Sequence, residues 1–363
     1  MAFADNRFDN RRRQLASELA ARRLDAMLLT DLTNIRYLSG FSGSNAALLV
    51  GSDRSARIAT DGRYTTQIAA EVPDIEAIID RRTTLALLEG TDEPRRIGVE
   101  SAHLSVAAFE KLQSFVPEDV TLVPVTGLVE PLRLVKDGGE LAELESVAAL
   151  ATQAFAELLD QGGVAAGRTE RDVAADLEYL MRRAGSERTS FDTIVASGPN
   201  SAKPHHGASD RVIETGDLVT IDFGAHVRGY NSDMTRTLVV GEVGEFEREI
   251  YELVLQAQLA GVEAATVGTK LVDVDAACRD IIAAGGYGEY FSHSTGHGIG
   301  LDVHEGPYAA QTGTGTLAEN MTLTIEPGIY VPGRGGVRIE DTLIISAGGP
   351  KIITNAGKDL LVV

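Results

Sequence analysis

The chain has 363 residues, 44% of them hydrophobic and 24% charged, and a formal net charge of −20. That length allows two domains with separate cores, and that charge opposes nonspecific binding to nucleic acid or to anionic lipid. No apolar run is long enough to span a bilayer, and the lone Cys278 excludes an internal disulfide framework and suits a reducing, cytoplasmic compartment.

In chain order, the Arg-rich start (Arg7, Arg11, Arg12, Arg13, Arg22, Arg23) is interrupted by Asp5, Asp9, Glu18 and Asp25 and has no apolar centre. It reads as a solvated amphipathic helix near 8–23, not as an export signal. Strand-like runs follow at 25–30, 46–50 and 57–60, then a helix after Asp61. Further strands near 75–79, 96–99 and 120–123 alternate with helices near 83–89 and 105–114. This alternation predicts a compact α/β domain over residues 1–132. Residues 133–139 form the junction, and a second domain over 133–363 opens with helices near 139–161 and 169–184. Strand-rich segments, helices near 244–265 and 270–284, and two hairpins complete it. Each portion of this domain contributes helices and one acid-bearing hairpin, as an internal duplication would.

The hairpins carry the chemistry. Residues 218–225 and 231–240 are strand-like, with Gly229 in the turn between them; 321–331 and 337–345 are separated by 332–336. Opposite residues of an antiparallel hairpin are equidistant from its tip. A tip near 227–228 sets Asp222 against Asp233, and a tip at Gly333 sets Glu326 against Glu340. Facing carboxylates cost stability unless a cation offsets them, and the simplest cation is a metal ion. By period-two alternation the acid-bearing faces also carry Thr220, Thr235, Thr237, Thr322, Thr324, Arg338 and Thr342. Those hydroxyls can support metal ligands by hydrogen bonding, although threonine is also simply common in strands. The opposite faces hold Val219, Ile221, Phe223, Leu323, Ile325, Val337, Ile339 and Leu343, which read as core.

Five of the seven histidines lie in two turn-rich segments, SGPNSAKPHHGAS (197–209) and HSTGHGIGLDVHEGP (293–307). The glycines of the second segment argue against a helix. The glutamate of a helical HExxH zinc motif is missing and no GxGxxG is present, so a Gly-rich loop that brings an imidazole close to a metal fits better. Four carboxylates with one neutral imidazole suit Mn²⁺, with Zn²⁺, Co²⁺ or Fe²⁺ as further options. Four negative charges are balanced by two divalent ions, which would activate a water and polarise a carbonyl.

With those residues in place a resemblance emerges. IDFGA with SDMTRT, HSTGHGIGLDVHE, IEPGIY and VRIEDT resemble, in order and spacing, the ligand motifs of the pita-bread metallopeptidases. That superfamily includes methionine aminopeptidase, aminopeptidase P, prolidase and creatinase. YLSGFSGSNAALLV (37–50) and TDGRYTTQ (60–67) resemble the N-terminal domain of the aminopeptidase P/prolidase branch, so the likeness spans essentially the whole chain. It implies an α/β (α+β) protein: a C-terminal pita-bread catalytic domain with a curved antiparallel sheet, preceded by a smaller creatinase-type α/β domain.

The resemblance also implies roles. Asp222 would chelate one ion, Asp233 and Glu340 would bridge both, and His297 with Glu326 would hold the second. Glu326 would shuttle the proton of the attacking water. His205 (with His206 as the alternative, since relatives often read PHG) and His304 would act near the scissile carbonyl. His293 would line the site for the residue after the cleaved bond. Arg338, on the face that carries Glu340, would anchor a substrate carboxylate, orient a ligand or make a structural salt bridge. The implied substrate is a peptide with proline second, cleaved before the proline, whose imide nitrogen bears no hydrogen.

Xaa-Pro aminopeptidase is the first expectation and Xaa-Pro dipeptidase the alternative. A methionine aminopeptidase does not need the N-terminal domain, and creatinase works without metal. A non-catalytic binding protein on the same fold would be expected to show a damaged ligand set, and none of the five ligands is altered. A homodimer is implied, with the FSGSN loop (41–45) as a candidate contact, and proline recycling is the implied role.

Overall fold

In the computed structural model, which describes residues 6–89 and 95–363, helix α1 (Arg7–Ala21) turns Leu15, Ala16 and Leu19 inward. Arg11 and Arg12 are buried too, and donate to the carbonyls of Tyr37 and Leu38 in α2 (Leu32–Ser39). The expected solvated helix is corrected on this point: the long arginine stems reach unpaired carbonyls at a neighbouring helix end. Helix α2 itself escaped the sequence reading. It is eight residues long, too short to show a clear period, and its signals are local: Asp31 accepts from the Thr33 amide, and Gly40 ends it at φ +83°.

Strands β1 (Ala26–Leu29), β2 (Ala46–Gly51), β3 (Ala56–Thr60), β4 (Glu76–Ile79), β5 (Arg95–Glu100) and β6 (Val120–Val125) form one sheet in the order β4-β3-β2-β1-β5-β6. The pairs β3–β4 and β5–β6 are parallel and need crossovers. Helix α3 (Thr65–Glu71) lies in the first and α5 (Val106–Phe115) in the second. Helix α4 (Thr83–Leu88) adds Leu85, Leu87 and Leu88 to a core with Leu28, Ala47, Ile97 and Val99. Helix α6 (Glu130–Arg133) ends this unit, which spans Met1–Arg133.

The second unit, Leu134–Val363, begins with α7 (Gly138–Asp160) and α8 (Glu170–Arg183), each started by a capping box at Asp137 or Thr169. Short strands β7 (Arg188–Thr189) and β8 (Ile194–Ser197) lead into the first hairpin. The hairpin comprises β9 (Leu218–Phe223), β10 (Ala225–Val227), β11 (Tyr230–Asn231) and β12 (Met234–Val239). Helices α9 (Glu245–Ala264) and α10 (Leu271–Ala284) follow, then β13 (Gly296–Gly298) and β14 (Glu305–Ala309). The second hairpin comprises β15 (Thr322–Ile325), β16 (Gly328–Val331), β17 (Gly335–Arg338) and β18 (Asp341–Ile344), with β19 (Lys351–Ile352) beside β18.

Two cores reflect the halves. Leu144, Leu158 and Leu177 of α7 and α8 cover Val219, Ile221 and Phe223. Ile250, Val254 and Val274 of α9 and α10 cover Leu323, Ile325, Val337, Ile339 and Leu343. Each helix pair thus buries the apolar face assigned from alternation, leaving the Thr- and acid-bearing face for other use.

The register of the second hairpin is as expected: Ile329 faces Val337 and Thr324 faces Thr342, with Gly333 at the tip at φ +76°. The first differs. Thr235, not Asp233, stands opposite Asp222, because the turn is the two-residue Arg228–Gly229, both at positive φ, the geometry of a tight hairpin connection. The slip is two residues, so every side chain keeps its face.

Candidate metal centre and active site

Three of the four acids sit where the hairpin ladders break. Asp233 falls between β11 and β12, Glu326 between β15 and β16, and Glu340 between β17 and β18. The Glu326 amide donates to the Thr295 carbonyl (2.8 Å) and the Glu340 amide to the Thr235 carbonyl (3.1 Å). The backbone at each break therefore ties one acid-bearing strand to another segment of the site.

The expected Gly-rich loop is instead a short strand pair. Residues 296–298 pair with β14, with a register shift between His297 and Gly298 that marks a bulge. A Cβ on Gly296 would lie 1.7 Å from the Thr324 carbonyl oxygen. Only glycine permits that approach, which lets the His297 amide donate to Thr324 Oγ1 at 3.0 Å.

The acids and His297 converge. Ligand atoms of Asp222, Asp233 and Glu340 lie within 4.8 Å of one another, as do those of His297, Glu326 and Glu340, and those of Asp233, His297 and His304. Asp233, His297 and Glu340 each belong to two of these groups. Thr235 donates to Glu340 Oε2 (2.8 Å) and Thr342 to the Asp233 carbonyl (2.8 Å), so the threonine face supports the acids as expected.

Yet Asp222 Oδ1, Asp233 Oδ1 and Glu340 Oε1 are buried with no hydrogen-bond partner. Buried unpaired carboxylate oxygens are costly. Burial, then the neighbouring carboxylates, push the Asp233 and Glu340 carboxyls well above their ordinary values. Burial likewise raises Glu326 to about 8, opposed by Arg338 and reinforced by Asp222. Such a set fits divalent cations, which would satisfy the orphan oxygens and relieve the repulsion.

His297 Nδ1 lies 3.0 Å from the Gly298 carbonyl, so it carries the proton and leaves the Nε2 lone pair facing Asp233 and Glu326 at 3.6 and 3.4 Å. That is the tautomer a metal ligand needs. Burial depresses His297 to about 4, keeping it neutral.

Arg338 is committed inside the protein. It donates to Asp222 Oδ2 (2.7 Å), Thr235 Oγ1 (3.1 Å), the Tyr330 hydroxyl (2.8 Å) and the Pro204 carbonyl (3.2 Å). These contacts orient Asp222; a substrate carboxylate would have to compete with them. His293 Nδ1 meets the Ser294 carbonyl and its Nε2 the Tyr330 hydroxyl, both at 2.8 Å. The Tyr330 O–H therefore points at His293 Nε2 and both nitrogens of that ring are used. Burial first, then Arg338, lower His293 to about 4.

His205 is exposed at the mouth of a cavity of about 440 Å³ that Asp222, His293, His304, Glu326 and Tyr308 also line. His304 packs edge-on against His297 with ring centres 4.4 Å apart. His206 also borders the cavity, but its Nε2 is engaged 2.8 Å from Glu170. Of the adjacent pair, His205 is thus the one presented to the cavity without an internal tether. Tyr330, Tyr308 and Glu170 were not singled out in the sequence. Tyr330 lay in view inside IEPGIY, but Glu170 looks like an ordinary first-turn acid, and only contacts with residues 27 to 39 positions away reveal it.

A buried acid-and-imidazole set, held between two hairpins of a mixed α/β unit, defines a metal-dependent hydrolase. Residues 142–347 match the family model "Metallopeptidase family M24" and residues 11–135 match "Creatinase/Prolidase N-terminal domain". The chain belongs to metallopeptidase family M24, in the aminopeptidase P/prolidase branch of the pita-bread fold. It is 40% identical over 344 residues to a Pyrococcus horikoshii protein named Xaa-Pro dipeptidase, covering 93% of this chain and 95% of that one. A solved Xaa-Pro dipeptidase from Bacillus anthracis superposes with a TM-score of 0.93 at 39% identity, covering 98% and 100%. An X-Pro aminopeptidase from Thermotoga maritima gives 0.88 at 36%, covering 97% and 99%. No helix among the described residues is long and apolar enough to cross a membrane.

Proposed function

We propose that the chain is an Xaa-Pro dipeptidase, a prolidase, working with two divalent ions, Mn²⁺ foremost. One observation carries the choice: relatives named Xaa-Pro dipeptidase match at 40% and 39% identity over 93% of this chain and 95% of theirs. The sequence alone put the aminopeptidase first; the balance of relatives favours the alternative. Aminopeptidase stays as the second reading because of the likeness to the T. maritima enzyme. A cytoplasmic homodimer belongs to the same reading. The buried free thiol of Cys278 suits that compartment, and sedimentation checks the dimer.

In this reading Asp222, Asp233, His297, Glu326 and Glu340, which converge in overlapping groups, would hold the ions, with Asp233 and Glu340 shared between them as the family resemblance implies. The ions would supply a water of lowered pKa and polarise the scissile carbonyl. Arg338 fixes Asp222 through its 2.7 Å contact. Glu326 takes the proton of the attacking water on its carboxylate and passes it to the departing prolyl nitrogen. His304, beside His297, and His205, at the cavity mouth, donate to the charge that grows on the carbonyl oxygen. His293, its Nε2 occupied by Tyr330, offers a ring face to the proline.

The test is Mn²⁺-dependent cleavage of a matched Xaa-Pro dipeptide and Xaa-Pro-Xaa tripeptide, with Glu326→Ala as control. Cleavage of the dipeptide alone is expected, with kcat for Glu326→Ala lower by more than about 100-fold. Tripeptide cleavage would make the chain an aminopeptidase. Turnover of neither, with metal bound, would end the Xaa-Pro assignment.

A further inference from the structure

The Glu170 carboxylate is completely buried and accepts six hydrogen bonds. Oε1 receives the Ser197 amide and hydroxyl, both at 2.8 Å, and Asn200 Nδ2 at 3.0 Å. Oε2 receives His206 Nε2 at 2.8 Å, the Ser209 amide at 3.1 Å and the Ser209 hydroxyl at 2.5 Å. Burial alone would raise its pKa, but bonds from Ser209, Asn200, Ser197 and His206 outweigh it and hold the group at about 2. An ionised, acceptor-only carboxylate requires His206 to donate.

One oxygen thus grips the start of the 197–209 segment and the other grips its end. Between these anchors, Ser201 Oγ accepts from the Gly336 amide at 2.8 Å. The Pro204 carbonyl accepts from Arg338 at 3.2 Å, and the same guanidinium holds Asp222. His205 sits between a neighbour tied to the acid cluster and a neighbour tied to Glu170. His205 itself stays exposed towards the cavity.

We propose that Glu170 and His206 are positioning residues whose tether holds the His205 imidazole over the acid cluster. The second histidine of PHHG is a structural donor rather than a duplicate of the first. The inference rests on the reading that His205 meets the substrate. Placing such a group to within a fraction of an ångström is worth large factors in rate, and the tether acts through His205 alone.

A double-mutant cycle in the metal-loaded enzyme tests this, assayed on an Xaa-Pro dipeptide. His206→Leu should lower kcat about tenfold, with KM and metal content steady, and His206→Gln, which keeps a donor, should restore most of it. In a His205→Ala background, His206→Leu should change kcat by less than about twofold, because the path of action is gone. An equal loss in both backgrounds, or no loss in the parent, overturns the tether. If His205→Ala itself leaves kcat unchanged, the role given to His205 falls instead.

A second readout is independent of activity and of metal. In the metal-free protein Glu170→Ala should speed amide exchange at Ser197 and Ser209 by more than about tenfold. Unchanged protection overturns the tether, even if no Xaa-Pro peptide is cleaved by the parent and the proposed function has failed.

Discussion

Asp233 and Glu340 show what the site costs the fold. Each is almost fully buried, each has an oxygen without a partner, and each is pushed towards protonation by burial and by other acids. Glu340→Gln keeps the shape and replaces a carboxyl that folding must hold protonated with a neutral amide. In the metal-free protein it should raise the melting midpoint, worth about 1 kcal/mol or more. In the same variant Mn²⁺ binding should weaken and kcat fall by more than about 100-fold. Calorimetry with and without Mn²⁺ checks both halves; a metal-free variant less stable than the parent would sink the account. The acids were legible in the sequence because facing carboxylates have few structural uses. Glu170 was not, because a carboxylate's partners are invisible until the chain is folded, and a helix's first turn is where an idle glutamate also belongs.

At the scale of elements, the longer helices and most strands were legible from period and punctuation, and the two faces of each hairpin from alternation. The first register was misplaced because the turn contains Arg228 at φ 48°, a conformation that sequence does not advertise for arginine. The error was even, so the face assignments survived it. Strands β13 and β14 were missed because their pairing depends on bare backbone at glycine. A Cβ at Gly298 would lie 2.0 Å from the Gly306 carbonyl oxygen, and neither backbone can yield without parting the pair. Gly298→Ala should therefore destabilise the protein by about 1–3 kcal/mol and weaken Mn²⁺ binding by displacing His297 next to it. A denaturant midpoint and a metal titration measure the two effects, and a stable variant with parental affinity would refute the close-approach argument.

For the molecule as a whole, the raised carboxyls couple folding to pH. Folded Asp233, Glu326 and Glu340 keep protons that the unfolded chain has released, so their stabilisation is lost as pH rises, through about 8 for Glu326. His293 and His297, held at about 4 against an ordinary 6.5, act oppositely, but their contribution is complete above 6.5. Metal-free protein should therefore lose stability between about pH 6.5 and 8, and Mn²⁺ should restore most at the upper end. Melting midpoints at the two pH values, with and without Mn²⁺, decide this; a metal-free midpoint that rises would contradict it. The division of the proposed ligands along the chain has a further consequence. Asp222 and Asp233 precede the exposed turn at Thr266–Gly268, whereas His297, Glu326 and Glu340 follow it. A protease nick in that turn yields two fragments, each with part of the proposed coordination sphere. The nicked enzyme should keep its activity while loaded. Once chelated and diluted it should fail to recover when Mn²⁺ returns, because reassembly has become bimolecular, whereas the intact chain recovers through the high local concentration its own backbone provides.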